Sequence, residues 1–174
     1  EHIVKKLNLL PGQRVLDIGS GWGSMCFEIA KQTECEVTGY TLSRNQYEYC
    51  VKKAKDLKLD NQCHFELSDY REIKGQFQRI VSVGMLEHVG RKFYKTFFKK
   101  INELLTDDGV ALIHTIGSTD PKGPPQPFIQ KYIFPGGLVP SGSDLIDAIE
   151  KTGLVCADME SLIHHYDKTL KSWL

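Results

Sequence analysis

A carboxylate and an imidazole, two side chains that can carry a proton, each stand at the end of a short apolar run in this sequence. Glu87 follows the run 77–83, and His114 lies near the end of the run 110–116. If both runs are parallel strands of an open α/β sheet, these side chains lie at its carboxyl edge, where such sheets bind ligands. Glu87 alone could be a first-turn helix carboxylate, and His114 alone a hydrogen-bonded buried histidine. Together, beside a cofactor turn, they favour general acid–base chemistry.

The candidate cofactor turn lies in residues 14–30, RVLDIGSGWGSMCFEIA, where Gly19, Gly21 and Gly23 alternate between a predicted strand and a predicted helix. Such a turn aims backbone N–H groups and the positive end of the helix at a bound group, and the missing side chains let that group approach. A nucleotide-like cofactor is the first interpretation. A tight structural turn without a ligand is the alternative.

Two departures disfavour a dinucleotide site at this turn. The GxGxxG pattern requires a third glycine where this chain has Ser24. An acid is also expected at the end of the second strand to bind a ribose, but residues 40–42 are Tyr-Thr-Leu.

The elements that must position these residues follow from the hydrophobic pattern. Short apolar runs alternate with helical periods, which predicts an α/β fold with a mostly parallel sheet. The predicted strands are 14–18, 36–40, 62–67, 77–83 and 110–116, followed by a last helix at 143–152 and a strand at 154–163. The Pro- and Gly-rich segment 117–142 is far longer than an ordinary connection and is predicted to cover the site.

Two predicted helices present an apolar face to the sheet. The first begins after Ser43 as its N-cap and repeats apolar residues at helical spacing as far as Leu57. The second, within 91–105, has a predicted apolar face of Phe93, Phe97, Ile101 and Leu104 and an opposite face of Lys92, Lys95 and Lys99. Packing on the sheet is favoured over a membrane-surface role.

Composition narrows the class of protein. The 174 residues, 41% hydrophobic and 25% charged, are expected to form one domain. A formal net charge of +0 gives no reason to expect a nucleic-acid partner. Five cysteines without a CxxC pair argue against a disulfide framework and a zinc site, and we expect no metal at the pair His164 and His165. With neither a signal peptide nor a membrane-spanning run, we expect a cytoplasmic protein, at most peripheral to the inner face of the membrane.

Longer motifs resemble a specific family. VLDIGSGWG (15–23) resembles the GxGxG turn of S-adenosylmethionine-dependent methyltransferases. VTGYTLSRNQ (37–46), SDYRE (68–72), RIVSVGMLEHVG (79–90), HTIGS (114–118), KYIFPGG (131–137) and HHYDKTLKSW (164–173) resemble the cyclopropane fatty acid synthase and mycolic acid cyclopropane synthase family. The resemblance implies a Rossmann-like class I methyltransferase fold with helices on both faces. Against that family, residues 1–174 are expected to be one domain that lacks an N-terminal segment and further C-terminal helices.

The resemblance also implies cofactor contacts. From methionine to adenine they are Asp17, Gly19, Gly21, Thr41, Gln46, Leu42, Tyr70, Asp69 and Arg71. The first three would contact the methionine portion, and the next two would serve the ribose in place of the missing acid. Leu42 and Tyr70 would flank the adenine, and Asp69 or Arg71 would lie near its edge. Without the resemblance, Gln46 and Arg71 read equally well as solvated surface and Leu42 as core.

The catalytic residues implied are Glu87, His114, the backbone of Ile116, and Tyr166, which would hold a bicarbonate ion as general base. The implied reaction transfers a methylene group from S-adenosylmethionine to the double bond of an unsaturated acyl chain of a membrane phospholipid. Two alternatives stay open. One is a related methyltransferase acting on another acceptor, either an acyl chain without ring closure or an amine, and the other is a degenerate domain that binds the cofactor or nothing.

Overall fold

One sheet of five parallel strands forms the centre of the molecule. The computed structural model of the chain describes residues 1–118, 127, 131–132 and 137–173, apart from the side chains at 163, 166, 169, 170 and 173. The strands are β1 (Arg14–Ile18), β2 (Glu36–Thr41), β3 (Cys63–Leu67), β4 (Phe77–Val83) and β5 (Leu105–His114). They lie in the order β3-β2-β1-β4-β5, and every neighbouring pair is parallel.

The described helices connect or flank these strands. They are α1 (His2–Leu7), α2 (Ser24–Gln32), α3 (Arg44–Asp56), α4 (Tyr94–Leu104), α5 (Gly142–Glu150) and α6 (Ile163–Trp173). Short 3₁₀ helices cover Tyr70–Glu72, Leu86–His88 and Arg91–Phe93. Ser43 caps α3 as predicted, because its hydroxyl accepts the Gln46 N–H. None of the described helices is long and apolar enough to cross a membrane.

The two faces of the sheet bury separate apolar clusters. Val15 of β1 packs with residues of α1, α2 and α3, whereas its neighbour Leu16 packs with residues of α4 and α5. This alternation follows from the two-residue period of a strand. It confirms the predicted α/β fold with helices on both faces, and it places Asp17, two residues after Val15, on the α2 side.

Four predicted strands agree with the structure to within one residue at each end, but the fifth is shifted. The prediction was 110–116, and β5 runs from Leu105 to His114. Phe77 pairs with Leu105 and Arg79 with Val110, so the register shifts across the polar residues 106–109. The strand ends early because the N–H of Ile116 donates to the Glu87 carboxylate instead of continuing the ladder.

The predicted apolar face of helix 91–105 was wrong at one position. Phe97, Ile101 and Leu104 are buried, but Phe93 is 54% exposed and Tyr94 is buried in its place. Residues Arg91–Phe93 form a 3₁₀ helix, and the α-helix begins only at Tyr94. The change of helical period before Tyr94 rotates Phe93 off the packed face.

The strand predicted at 154–163 is also absent: residues 154–162 have no regular secondary structure, and α6 begins at Ile163. Leu154 packs against the apolar cluster of α4 and α5, but Val155 and Met159 are 87% and 57% exposed, so the run does not present a continuous apolar face to a core. Asp158 and Glu160 instead form ion pairs with Lys6 on α1. The preceding helix, predicted at 143–152, runs from Gly142 to Glu150.

Candidate active site

The glycine turn connects β1 to α2 as predicted. Gly19 and Gly23 have positive φ angles of 80° and 77°, and the N–H groups of Gly19 and Ser20 both donate to the carbonyl of Tyr40 on β2. A Cβ atom at Gly19 would lie 2.7 Å from Cγ of Met85. At Gly21, where φ is 55°, a Cβ atom would meet no atom within 4 Å. The turn is therefore packed against protein at Gly19 and open at Gly21, where a ligand could approach the backbone.

Asp17 lies at the base of this turn with its side chain inside the protein. The residue is 2% exposed, and the thiol of Cys26 on α2 donates to its Oδ2 over 3.3 Å. Burial raises the pKa of Asp17 to about 7, and the hydrogen bond from Cys26 partly opposes that rise. A cation bound here would favour the ionised carboxylate.

The second strand brings Thr41 and Gln46 together. The Thr41 hydroxyl donates to Oε1 of Gln46 over 2.7 Å and accepts the N–H of Ser43 over 3.2 Å. Leu42 lies between them in sequence and is 73% exposed. Two polar side chains and an uncovered apolar one thus lie where β2 ends and α3 begins, adjacent to the glycine turn.

Residues 69–71 lie after the end of β3, the next strand of the sheet. The guanidinium of Arg71 donates to both carboxylate oxygens of Asp69, over 2.9 and 2.7 Å, and this lowers the pKa of Asp69. The ring of Tyr70 packs edge-on against Phe97 of α4, with 5.5 Å between centroids. Tyr70 is therefore packed against the apolar cluster on the α4 and α5 side of the sheet, called here the second apolar cluster, while Asp69 and Arg71 form an ion pair with each other.

Glu87 is buried beyond the end of β4. It lies in the 3₁₀ helix Leu86–His88, is 7% exposed, and accepts the N–H of Ile116 at Oε1 over 2.7 Å. Its other oxygen, Oε2, finds no hydrogen-bond partner among the described residues. A buried carboxylate oxygen without a donor is costly, so this atom is well suited to a polar ligand.

His114 ends β5 directly beside Val83, the last residue of β4. Its carbonyl accepts the N–H of Gly84, and its side chain is exposed. The structure thus brings Glu87 and Ile116 into contact and places His114 at the same sheet edge. The side chain of Tyr166 lies outside the described residues, so the predicted set of four stays a prediction.

Two buried residues near these groups, Cys26 and Tyr94, were not predicted from the sequence. Tyr94 is 1% exposed, and its hydroxyl has no hydrogen-bond partner among the described residues. Burial raises the pKa of Tyr94 to about 12, helped by the negative charges of Asp144 and Glu87 and opposed by Arg91. No sequence signal marked the thiol of Cys26, because its contact with Asp17 depends on how α2 packs on β1.

The remaining histidines form no ligand cluster. Within residues 1–118, 127, 131–132 and 137–173, no three His, Cys, Asp or Glu side chains lie close enough to hold a metal ion. His88, His164 and His165 are exposed. All five cysteines are free thiols, and four of them are buried.

Comparison with curated proteins gives matches along the whole chain. A family model described as mycolic acid cyclopropane synthetase matches residues 1–174. The chain is 40% identical over 171 residues to the cyclopropane-fatty-acyl-phospholipid synthase of Escherichia coli (strain K12), covering 98% of the chain and 44% of that protein. It is 35% identical over 167 residues to a tuberculostearic acid methyltransferase of Mycobacterium tuberculosis, covering 93% of the chain and 39% of that protein. The chain spans less than half the length of these relatives.

Solved structures agree with the fold. The cyclopropane synthase MmaA2 from Mycobacterium tuberculosis superposes with a TM-score of 0.88 at 32% identity, covering 98% of this chain and 64% of that one. The mycolic acid cyclopropane synthase CmaA1 complexed with SAH and CTAB gives the same values. A Haemonchus contortus N-methyltransferase bound to S-adenosylhomocysteine has a TM-score of 0.85 at 22% identity, covering 98% of this chain and 40% of that one. The fold is that of the class I S-adenosylmethionine-dependent methyltransferases.

Proposed function

Because this chain belongs to the mycolic acid cyclopropane synthetase family, we propose that it is the cofactor-binding part of a cyclopropane-fatty-acyl-phospholipid synthase. Such an enzyme transfers a methylene group from S-adenosylmethionine to the double bond of an unsaturated acyl chain. The observation that carries the proposal is the buried Glu87 carboxylate with an unpartnered oxygen at the carboxyl edge of the sheet. The 40% identity to the Escherichia coli synthase supports the substrate class.

The residues at the turn fit S-adenosylmethionine. Gly21 leaves open space against the backbone, and buried Asp17 could balance the positive charge of the methionine portion. Thr41 and Gln46, already hydrogen-bonded to each other, would bind the ribose hydroxyls. The exposed Leu42 would cover one adenine face. The bound cofactor supplies an electrophilic methyl group on sulfonium sulfur.

Tyr70 would cover the adenine face opposite Leu42. Its ring is held in place by its contact with Phe97. Asp69 and Arg71 form an ion pair beside it. Binding to the adenine edge would therefore use the carboxylate oxygens or N–H groups that this pair leaves accessible at the surface. We place these two residues at the edge of the adenine site.

The second part of the proposed site would bind the base that removes a proton during ring closure. When the alkene electrons attack the methyl carbon, its bond to sulfur would break, S-adenosylhomocysteine would leave, and a carbocation would be left on the acyl chain. Loss of a proton from the new methyl group to the base would then close the ring. Glu87, His114, the Ile116 backbone and Tyr166 would hold bicarbonate, which supplies a general base. The N–H of Ile116 fixes Oε1 of Glu87, which leaves Oε2 for the ion.

Water must be kept from the carbocation, and segment 117–142 is the proposed cover. Most of it lies outside the described residues, but its ends meet beside the site. Ser118 donates its N–H to the carbonyl of Pro140 over 2.9 Å and bridges to Ser141. The N–H of Leu138 donates to the carbonyl of Glu87, also over 2.9 Å. These contacts tie the segment to the catalytic edge.

An acyl-chain substrate also implies peripheral contact with the inner face of the membrane.

The test uses the full-length protein with S-adenosylmethionine and vesicles of an unsaturated phospholipid. Mass spectrometry of the acyl chains is expected to show the gain of one methylene, and proton NMR is expected to show the upfield signals of a cyclopropane ring. Lipids with saturated chains serve as the control and are expected to stay unchanged. A protein that binds S-adenosylhomocysteine in calorimetry yet modifies no acyl chain would contradict the synthase assignment.

A second function is favoured by the 35% identity to a tuberculostearic acid methyltransferase. Transfer to the same double bond without ring closure gives a branched chain of equal mass gain. The NMR spectrum separates the two products, because only the ring gives the upfield methylene signals. A protein that produces no heat with S-adenosylhomocysteine would instead fit a degenerate domain.

Glu87→Gln keeps the bulk of the side chain and removes its charge. We expect turnover to fall about 10²- to 10⁴-fold, because the base site loses its carboxylate. Affinity for S-adenosylhomocysteine should stay within about twofold, since Glu87 is not among the residues proposed to contact the cofactor. Initial rates and calorimetry on the same preparation check both values, and a fully active variant would contradict the role given to Glu87.

A further inference from the structure

The Cys26 thiol donates a hydrogen bond to the Asp17 carboxylate at the base of the glycine turn. Asp17 lies on the face of β1 that packs on α2, and Cys26 lies on the first turn of that helix. The distance from Sγ of Cys26 to Oδ2 of Asp17 is 3.3 Å, and Cys26 is 0% and Asp17 2% exposed. A donor placed on a buried carboxylate stabilises its ionised form.

The space for this contact is made by Gly39 on β2. Gly39 is the register partner of Asp17 in the sheet. A Cβ atom at Gly39 would lie 2.9 Å from Sγ of Cys26 and 2.8 Å from Cβ of Ser20. The absence of a side chain at this position thus allows the thiol to fit beside the turn.

We propose that Cys26 is a positioning residue for cofactor binding, whose thiol holds the Asp17 carboxylate ionised and oriented at the base of the glycine turn. The inference rests on the proposed function, in which Asp17 contacts the methionine portion of the cofactor. Cys26 itself touches no cofactor atom. It acts through Asp17 by offsetting the cost of an ionised carboxylate in the protein interior.

Two other thiols lie close to this pair. Cys50 of α3 places its Sγ 3.5 Å from the carbonyl of Gly21, and Cys63 of β3 places its Sγ 3.5 Å from the carbonyl of Cys26. Burial raises the pKa of each thiol to about 11, so both are neutral near pH 7. They add bulk around the turn without adding charge, which makes Cys63 a matched control for Cys26.

The competing explanation is that Cys26 only fills the core. Loss of core volume lowers stability by an amount that does not depend on the ionisation of Asp17. Loss of a hydrogen bond to the carboxylate raises the pKa of Asp17, and this moves the pH at which affinity for a ligand with an ammonium group next to Asp17 declines. The pH profile of binding therefore separates the two roles.

The experiment measures the dissociation constant of S-adenosylhomocysteine by calorimetry between about pH 5.5 and 9, across the pKa range of Asp17. It compares the full-length wild type with Cys26→Ala, Cys26→Ser and Cys63→Ala. For Cys26→Ala we expect Kd to rise about fivefold near pH 7, the inflection to move to higher pH, and affinity to converge with the wild type at the alkaline end. Serine, whose hydroxyl is a stronger donor than a thiol, should move the inflection below that of the wild type.

Cys63→Ala is expected to lower the melting temperature while leaving the inflection in place. An inflection in Cys26→Ala equal to that of the wild type overturns the inference. Should alanine prevent folding, serine decides, because a hydroxyl is the stronger donor: an inflection below the wild type supports the role, and one at or above it overturns the role. A wild type that binds no S-adenosylhomocysteine contradicts the proposed function itself, which is a different result.

Discussion

Asp17 lies in the proposed cofactor site, and its burial makes the stability of the protein depend on pH. Its ordinary pKa of 3.8 is raised to about 7 because the carboxyl group is buried. The folded protein therefore holds the proton more tightly than the unfolded chain between these two values. The stabilisation from this proton is fully present below about pH 4 and is lost as the pH rises through about 7.

Asp17→Asn removes this titration, so the stability of the variant relative to the wild type should increase from about pH 4 to pH 8. The pKa difference sets an upper limit of about 4 kcal/mol on the increase. Each kcal/mol corresponds to about 2–4 °C in melting temperature for a chain of this size. Thermal unfolding at both pH values checks the prediction, and calorimetry should show that cofactor affinity is lost. A stability difference independent of pH would contradict the burial of an ionisable group here.

Individual residues were predictable from the sequence to different degrees. The glycine spacing located the turn, because it depends on local pattern, whereas Asp17 was implied only by resemblance. The resemblance implied that Glu87 and the Ile116 backbone belong to one site. Their direct hydrogen bond was not predicted, since it joins residues 29 positions apart across two strand ends. The contact between Cys26 and Asp17 depends on the packing of a helix on a strand, which no periodicity encodes.

At the scale of elements, the turn between β1 and α2 combines two glycines with different requirements. Gly19 has a φ angle of 80° and is packed against Met85, whereas Gly21 has a φ angle of 55° and faces open space. Both conformations are left-handed and disfavour a side chain. Of these two glycines, Gly19 is the one at which a side chain would also collide with the protein.

Gly19→Ala should therefore lower the free energy of unfolding by about 2–4 kcal/mol, through backbone strain and the clash with Met85. Gly21→Ala should cost only about 1 kcal/mol, from the backbone alone. Its methyl group would occupy the space proposed for the cofactor, so affinity for S-adenosylhomocysteine should fall about tenfold or more. Urea unfolding and calorimetry measure the two effects separately. Equal losses of stability in the two variants would contradict the packing at Gly19.

The elements that sequence reasoning misjudged are those whose form depends on distant partners. Phe93 and Tyr94 exchange places because a 3₁₀ helix precedes α4. The run 154–163 has apolar residues typical of a strand, but Asp158 and Glu160 in the same run pair with α1. The local sequence shows the spacing of apolar residues along the chain. It does not show whether the edge of a sheet is available to pair with a strand at that point.

At the scale of the whole molecule, α5 connects the proposed cover to the second apolar cluster. Ala148 of α5 is buried in that cluster. At the other end of the helix, Asp144 forms a capping box with Ser141, and its Oδ2 lies 3.2 Å from the guanidinium of Arg91. The side chain of Asp144 is 2% exposed, so this carboxylate is held inside the protein by several donors.

Asp144→Ala should lower the free energy of unfolding by about 2–3 kcal/mol, because a helix cap and hydrogen bonds to a buried charge are lost together. Since Ser141 also pairs with Ser118 near Glu87, the amide of Leu138 should exchange faster with deuterium in this variant. Lys151→Ala, which breaks an exposed ion pair on the same helix, should change stability by less than about 0.5 kcal/mol and leave that exchange rate unaltered. If the two variants behaved alike in urea unfolding and in exchange, Asp144 would not be the residue that anchors the cover to the catalytic edge.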